Sequence, residues 1–144
     1  MNDIVKKIQA GYDIIKDIDR WAQGYYQYDK NGEKCPWAEG YCFCALGVLV
    51  FVGDGHSHNA RCAIQRISEE LFGKSVQEVN DDETVSKEVA HRNVLKVYLM
   101  ALDRWKDRDP EPWELIVEPY RTLCKEGKMD PQSCGLQGSL LSKG

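Results

Sequence analysis

Cys44 is the residue of this chain whose type best suits it to act as a nucleophile. It lies inside the apolar stretch from Cys42 to Val52, and a thiol needs a neighbouring base or a positive environment to become a reactive thiolate. The candidate base is His91, and Gln23 is the candidate oxyanion donor, like the glutamine of papain-like enzymes. However, Gln23 lies 21 positions before Cys44, and the middle of a helix, where Cys44 is expected, gives a thiolate little help. The sequence therefore favours Cys44 as a small buried residue over a catalytic one.

His56, His58 and Cys62 are the best candidates for metal ligands. His58 and Cys62 are four positions apart, which would place both on one face of a helix, and His56 could fold back from the preceding loop. Two ligands on one helix do not complete a zinc site. The cysteines that come earlier in the chain, Cys35, Cys42 and Cys44, lack a spacing that recurs in zinc sites. No phosphate loop or nucleotide fingerprint is present either. The sequence thus predicts no metal and no cofactor.

Asn80 and Asp81 can be interpreted in two ways. Short polar side chains before a helix usually bond to backbone N–H groups and fix a turn. Alternatively, they could line a small polar pocket with Gln23, beside a groove at Cys44. We predict that Gln23 is largely buried and hydrogen-bonded to the loop of residues 79–82.

Length, charge and cysteine usage limit the class of protein. A chain of 144 residues fits one domain, and its net charge of −4 with a pI near 5.4 disfavours nucleic acid as a partner. No segment is apolar over the roughly 20 residues that a bilayer requires, so no membrane association is predicted. The first residues resemble the start of an amphipathic helix rather than an export signal, which predicts a cytoplasmic protein with six free thiols.

Hydrophobic periodicity predicts a mostly α-helical fold with a short β-hairpin, in a compact single domain of about four helices. The hairpin is expected near residues 24–35, around the turn Asp29-Lys-Asn-Gly32. Helices are expected at about residues 3–19, 37–52, 57–73 and 86–105, with a short turn after Ser75.

The chain is expected to divide into a core and a tail. Residues 1–108 are predicted to form the helical core domain. Residues 109–128 are predicted to form an extension that packs on it, in which Pro119 could open a last helix ending at Gly127. The Gly- and Ser-rich residues 129–144 are expected to be a mobile tail.

Three short motifs, in order, resemble a known family. They are Trp21-Ala-Gln23-Gly24, Cys44-Ala-Leu-Gly47 and Val79-Asn80-Asp81. The chain resembles a family of small uncharacterised bacterial and phage proteins over roughly residues 4 to 105. The resemblance implies a prokaryotic or phage origin and a shared fold, and it brings no activity.

The resulting hypothesis is a small non-catalytic accessory protein that binds a protein partner or a small ligand. Its candidate binding residues are Trp21, Gln23, Cys44, Asn80 and Asp81. The alternative is a thiol-dependent hydrolase or transferase that uses Cys44 as nucleophile, with His91 as base and Gln23 as polarising group.

Overall fold

Five α-helices and one pair of short strands make up the part of the chain that the structure, a computed structural model, describes: residues 3–36 and 39–116. This confirms the predicted mostly helical fold with a short antiparallel pair. In chain order the elements are α1 (Asp3–Ile15), β1 (Gln27–Tyr28), β2 (Cys42–Phe43), α2 (Gly47–Gly53), α3 (His58–Phe72), α4 (Val76–Asn80) and α5 (Lys87–Arg104), with 3-10 turns at Ile18–Arg20 and Pro112–Leu115.

The helix boundaries follow from local capping chemistry. Ser75 Oγ accepts a hydrogen bond from the backbone N–H of Glu78 at 3.2 Å, and Ser86 Oγ accepts one from Val89 at 3.2 Å. Gly73 ends α3 with a φ of +70°, a conformation that glycine adopts without steric cost. The predicted starts of α4 and α5 and the predicted end of α3 are therefore confirmed.

The hydrophobic core lies around α5. Helices α1, α3 and α4 all pack against α5, and α1 also packs on α2. The largest fully buried side chains are Trp21, Trp105, Tyr98, Phe43, Ile8, Ile15, Leu46, Leu49, Ile64 and Ile67. Among the described residues, none of the helices combines the length and the apolar character needed to cross a membrane.

The single helix predicted over residues 37–52 is wrong. Cys42 and Phe43 form β2, the chain then turns, and α2 begins only at Gly47. The length of the apolar run from Cys42 to Val52 favoured one helix. However, pairing with β1 decides the conformation of Cys42 and Phe43, and such long-range pairing leaves no periodic pattern in the local sequence. Residues 37 and 38 lie outside the described part of the chain.

The two strands are further apart in sequence than expected. β1 pairs antiparallel with β2, with Tyr28 opposite Cys42, whereas the hairpin was expected to close by residue 35. The predicted turn is present: Asp29 N–H donates to Glu33 O at 2.8 Å, and an isolated bridge joins Tyr28 to Lys34. The hairpin therefore comprises residues 24–36 and 39–43 of the described chain, with the tight turn at residues 29–32 inside it.

The described chain ends in a turn fixed to the helical core. The 3-10 turn Pro112–Leu115 contacts α3, and both Pro110 and Glu114 are buried. The Arg108 guanidinium donates to both Glu114 carboxylate oxygens, at 2.7 and 3.1 Å. The expectations for residues 117–128 and 129–144 lie outside the described residues.

Candidate functional site

Asn80 joins all three sequence motifs. It is the last residue of α4, and only 1% of its surface is exposed. Its Oδ1 accepts hydrogen bonds from Trp21 Nε1 at 2.7 Å and from the backbone N–H of Ala45 at 3.0 Å. Its Nδ2 donates to Ala22 O and to Asp81 Oδ1, both at 2.9 Å. Both acceptor positions and both donor hydrogens of this amide are thus used within the chain.

Gln23 and Asp81 extend this network toward the hairpin. Gln23 Nε2 donates to Asn80 O at 2.9 Å, which confirms the predicted bond to the 79–82 loop, although Gln23 is half-buried rather than largely buried. The exposed Asp81 accepts from the backbone N–H of Gly24 at 3.0 Å. Tyr28 Oη donates to Gln23 O at 3.1 Å. These bonds fix the chain at the point where the hairpin begins.

Cys44 lies in the turn before α2, so its predicted place in the middle of a helix is wrong. The backbone N–H of Gly47 donates to Cys44 Sγ at 3.3 Å, and the Cys44 N–H donates to Tyr26 O at 3.1 Å. The side chain is buried, and this burial raises the pKa of the thiol to about 11, against the lowering effect of the Gly47 hydrogen bond. At neutral pH the thiol is therefore protonated and a weak nucleophile.

His91 is buried, as predicted, but it does not meet Cys44. His91 Nε2 lies 2.7 Å from the carbonyl oxygen of Ile15. Because a carbonyl only accepts, we assign the ring proton to Nε2. The ring packs against Trp21, with 5.0 Å between the centroids. Within the described residues, no hydrogen bond joins His91 to the thiol, so the dyad of the enzyme hypothesis is not assembled.

The candidate metal ligands are only partly brought together. Both ring nitrogens of His58 lie 3.9 Å from Cys62 Sγ, and burial raises the pKa of that thiol to about 12. His56 and His58 line a surface pocket of about 330 Å³ with Asp3 and Lys7, and Lys7 forms an ion pair with Asp3 at 2.8 Å. Across residues 3–36 and 39–116, no group of three or more His, Cys, Asp or Glu side chains is arranged to hold a metal ion.

The hairpin carries cation–aromatic stacks that the sequence analysis missed. The Lys34 ammonium lies 4.6 Å from the ring centroid of Tyr25, whose side chain is exposed, and the Tyr25 and Tyr28 rings meet edge to face at 6.0 Å. The Arg20 guanidinium lies 4.1 Å from the Tyr41 ring. The tight turn was the available signal, because it returns Lys34 to the tyrosines that precede it.

Comparisons with protein-family models, with curated proteins and with solved structures found no match. The interpretation of these residues therefore depends on the geometry of the chain itself. That geometry brings together Trp21, Gln23, Asn80 and Asp81 and places Cys44 beside them, next to Ala45, whereas His91 contacts only the Trp21 ring of this set.

Proposed function

We propose that this chain is a small non-catalytic accessory protein that binds a protein partner through its hairpin. The observation that carries the proposal is the Asn80 amide, because all of its hydrogen-bonding positions are filled within the chain. A residue used in this way holds structure and has no group left for a substrate. Asn80 fixes the segments that lie just before and just after the hairpin. Among the hairpin tyrosines, Tyr25 is exposed, and Tyr26, Tyr28 and Tyr41 are half-buried.

The thiol chemistry supports a non-catalytic role. A cysteine nucleophile needs a thiolate and a base within hydrogen-bonding reach. Burial keeps the pKa of Cys44 near 11, and His91 uses Nε2 to bond Ile15 O. No specific observation favours the alternative hydrolase or transferase.

The hairpin has the composition of a protein-binding surface. Tyrosine supplies much of the binding energy in protein interfaces, since its rigid planar ring loses little conformational entropy. The hairpin carries Tyr25, Tyr26, Tyr28 and Tyr41. Lysine and acidic residues alternate in the turn, where Lys30 and Lys34 are close in sequence to Asp29 and Glu33. Mixed charge of this kind suits a protein surface better than a phosphate backbone.

Neither of the described cavities of about 330 and 380 Å³ includes Gln23, Asn80 or Cys44 in its described lining, so the support for a protein partner is the composition of the hairpin surface. The setting that we propose is the cytoplasm of a bacterium or of a phage-infected cell. Its support is the resemblance carried by the three motifs.

Affinity capture with matched surface variants tests the binding proposal. Tyr25→Ala and Lys34→Glu change the exposed stack and leave the Asn80 hydrogen bonds intact, while Lys96→Glu changes an exposed residue of α5 as a control. A partner captured by the wild type should be retained by Lys96→Glu and lost by both hairpin variants, with unchanged circular dichroism for all three. A partner held equally by every variant would refute the hairpin as the binding surface.

The rate of Cys44 alkylation, measured as a function of pH, tests the proposal that the protein is not a thiol enzyme. Iodoacetamide modification, mapped by mass spectrometry of the folded chain, should remain slow at pH 8 and accelerate only toward pH 11, because burial disfavours the thiolate. His91→Ala should not change the alkylation rate at pH 8. A thiolate that forms well below pH 8 and depends on His91 would establish the enzyme hypothesis instead.

A further inference from the structure

Two cations lie on the ring of Tyr41, one from the hairpin and one from the 3-10 turn that precedes it. The Arg20 guanidinium lies 4.1 Å from the ring centroid, and the Lys30 ammonium lies 5.7 Å from it. We propose that these two groups bind a carboxylate of the protein partner, which therefore presents an acidic segment to the hairpin. The inference rests on the proposed function, because it names the chemistry of the partner that the hairpin binds.

The Arg20 guanidinium is held at two points and keeps two donor nitrogens open. Its Nε donates to Tyr41 O at 2.6 Å, and its stack on the Tyr41 ring fixes the orientation of the guanidinium plane. Within the described residues, Nη1 and Nη2 of Arg20 donate to no acceptor. A guanidinium in this position can donate both terminal nitrogens to one carboxylate, and it loses little further conformational entropy when it does so.

The carboxylates of the described chain do not neutralise these two cations. No ion pair joins Arg20 or Lys30 to an acidic side chain of residues 3–36 and 39–116. Asp29 Oδ1 instead accepts two backbone N–H bonds of the tight turn, at 2.8 and 3.1 Å. The other acidic residues of the hairpin, Glu33 and Glu39, are exposed. The positive charge on both faces or edges of this ring is thus available to a partner.

Burial makes Arg20 the stronger of the two contacts. Arg20 and Tyr41 are half-buried, whereas Lys30 is exposed. A charge-assisted hydrogen bond is less weakened by water when the donor is partly shielded from solvent. Arg20 is therefore expected to orient the carboxylate, and Lys30 to add attraction and to speed the encounter.

The surrounding charge favours a carboxylate over a phosphate group. An aspartate precedes each cation in the sequence, Asp19 before Arg20 and Asp29 before Lys30, and the net charge of the chain is −4. A phosphate group on a protein carries about −1.5 to −2 charges at pH 7, so these carboxylates repel it more strongly than they repel a singly charged carboxylate. An aspartate or glutamate of the partner therefore suits the two cations better than a phosphorylated residue.

Titration of the ¹⁵N-labelled full chain with the peptide acetyl-hexaglutamate amide, followed by NMR, tests the carboxylate site. The Arg20 Nε–H signal should shift and saturate with this peptide and should not move with acetyl-hexaglutamine amide at the same ionic strength. Arg20→Gln and Lys30→Gln should each raise the dissociation constant, Arg20→Gln by roughly tenfold. Arg20→Lys keeps the charge but lacks the planar pair of donors, so it should raise the constant by a smaller factor. Lys96→Gln, at an exposed position of α5, is the matched control and should leave it unchanged.

Two results of the titration would overturn the carboxylate site. Equal dissociation constants for Arg20→Gln, Lys96→Gln and the wild type, all with unchanged circular dichroism, would show that the peptide does not bind at Arg20. Inorganic phosphate that binds more tightly than the peptide and shifts the Arg20 Nε–H signal would assign the two cations to a phosphate group instead.

Affinity capture separates this inference from the proposed function. A partner that is lost by Tyr25→Ala but retained by both Arg20→Gln and Lys30→Gln would leave the hairpin as the binding surface and would overturn only the carboxylate site. A partner that every hairpin variant retains would refute the proposed function itself.

Discussion

At the scale of the residue, the chemistry of Asn80 explains why the motif contains asparagine. The amide supplies two acceptor positions to Trp21 and Ala45 and two donor hydrogens to Ala22 and Asp81. An aspartate would lose both donors and would place a second carboxylate beside Asp81. A leucine would leave buried donors without partners. The amide is the only common side-chain group that fits all four contacts.

Asn80→Ala should lower the free energy of unfolding by about 3 kcal/mol, because it leaves the Trp21 indole N–H and the Ala45 N–H without an acceptor. Urea denaturation followed by circular dichroism measures the loss. Asn59→Ala is the control, since Asn59 is exposed on α3, and it should change the value by less than about 0.5 kcal/mol. Equal effects of the two variants would contradict the structural role of Asn80.

At the scale of the element, Gly47 determines how closely α2 approaches the hairpin. A Cβ atom at this position would lie 2.1 Å from the carbonyl oxygen of Tyr26, a backbone atom that cannot turn aside. The same carbonyl accepts the hydrogen bond from Cys44 N–H. The glycine of the Cys44-Ala-Leu-Gly47 motif is therefore required by a close backbone contact.

Gly47→Ala should destabilise the protein by at least about 2 kcal/mol, since the Tyr26 backbone and α2 must separate to admit the methyl group. Gly11→Ala is the control within a helix. The three atoms nearest to a Cβ there all belong to side chains, those of Leu49 and Val48 at 3.2 Å and of Tyr98 at 3.4 Å, and alanine gains about 1 kcal/mol in helix propensity. Thermal unfolding of both variants measures the difference, and a milder loss for Gly47→Ala than for Gly11→Ala would contradict it.

The C-terminal 3-10 turn should respond to acid through Glu114. The two hydrogen bonds from Arg108 lower the pKa of this carboxyl from 4.5 to about 2. A carboxyl with a lowered pKa stabilises the fold above its unfolded pKa, and this stability is lost as the pH falls from about 4.5 to about 2.

Glu114→Gln should therefore reduce the free energy of unfolding at pH 7 by about 2 kcal/mol. This value is lower than the pKa shift alone would give, because Arg108 is half exposed and solvent screens the ion pair. The variant should also flatten the pH dependence of the unfolding free energy below about pH 4.5. Urea unfolding from pH 2.5 to pH 7 tests this. Glu83→Gln, at an exposed loop position, should leave the profile unchanged. A wild-type profile as flat as that of Glu114→Gln would show that the ion pair contributes nothing.

The sequence predicted those elements whose signals are local. Gly73 sets the end of α3, and Ser75 and Ser86 set the starts of α4 and α5. Each of these residues acts on neighbouring backbone groups. β2 was missed because its pairing partner lies 14 positions earlier, with Tyr28 opposite Cys42, and nothing in its own spacing shows the pairing.

Part of the candidate site could also be predicted. The contact of Gln23 with the 79–82 loop was expected, since polar residues beside buried helices must find partners. The bond from Trp21 to Asn80 spans 59 positions, and the choice of Asn80 as the centre of the network required the fold. The stack of Arg20 on Tyr41 was missed for the same reason, because these two residues meet only after the strands pair.

At the scale of the whole molecule, one network connects three distant segments to one hairpin. α4 contributes Asn80, the segment before β1 contributes Trp21 and Ala22, and the turn before α2 contributes Ala45. α5 adds Tyr98, whose hydroxyl donates to Ala45 O. Folding of the core and presentation of the hairpin are thus coupled through the same side chains.

Native-state hydrogen exchange of the Cys44 and Ala45 amides tests this coupling between the core and the hairpin. Asn80→Ala should accelerate their exchange far more than that of α3 amides, because it removes the anchor of the hairpin. Gln65→Ala is the matched control. Gln65 is also a buried amide, but it bonds Val76 and Gln77, so this variant should accelerate α4 and spare the hairpin. Uniform acceleration by Asn80→Ala, or unchanged exchange at Cys44 and Ala45, would contradict the account.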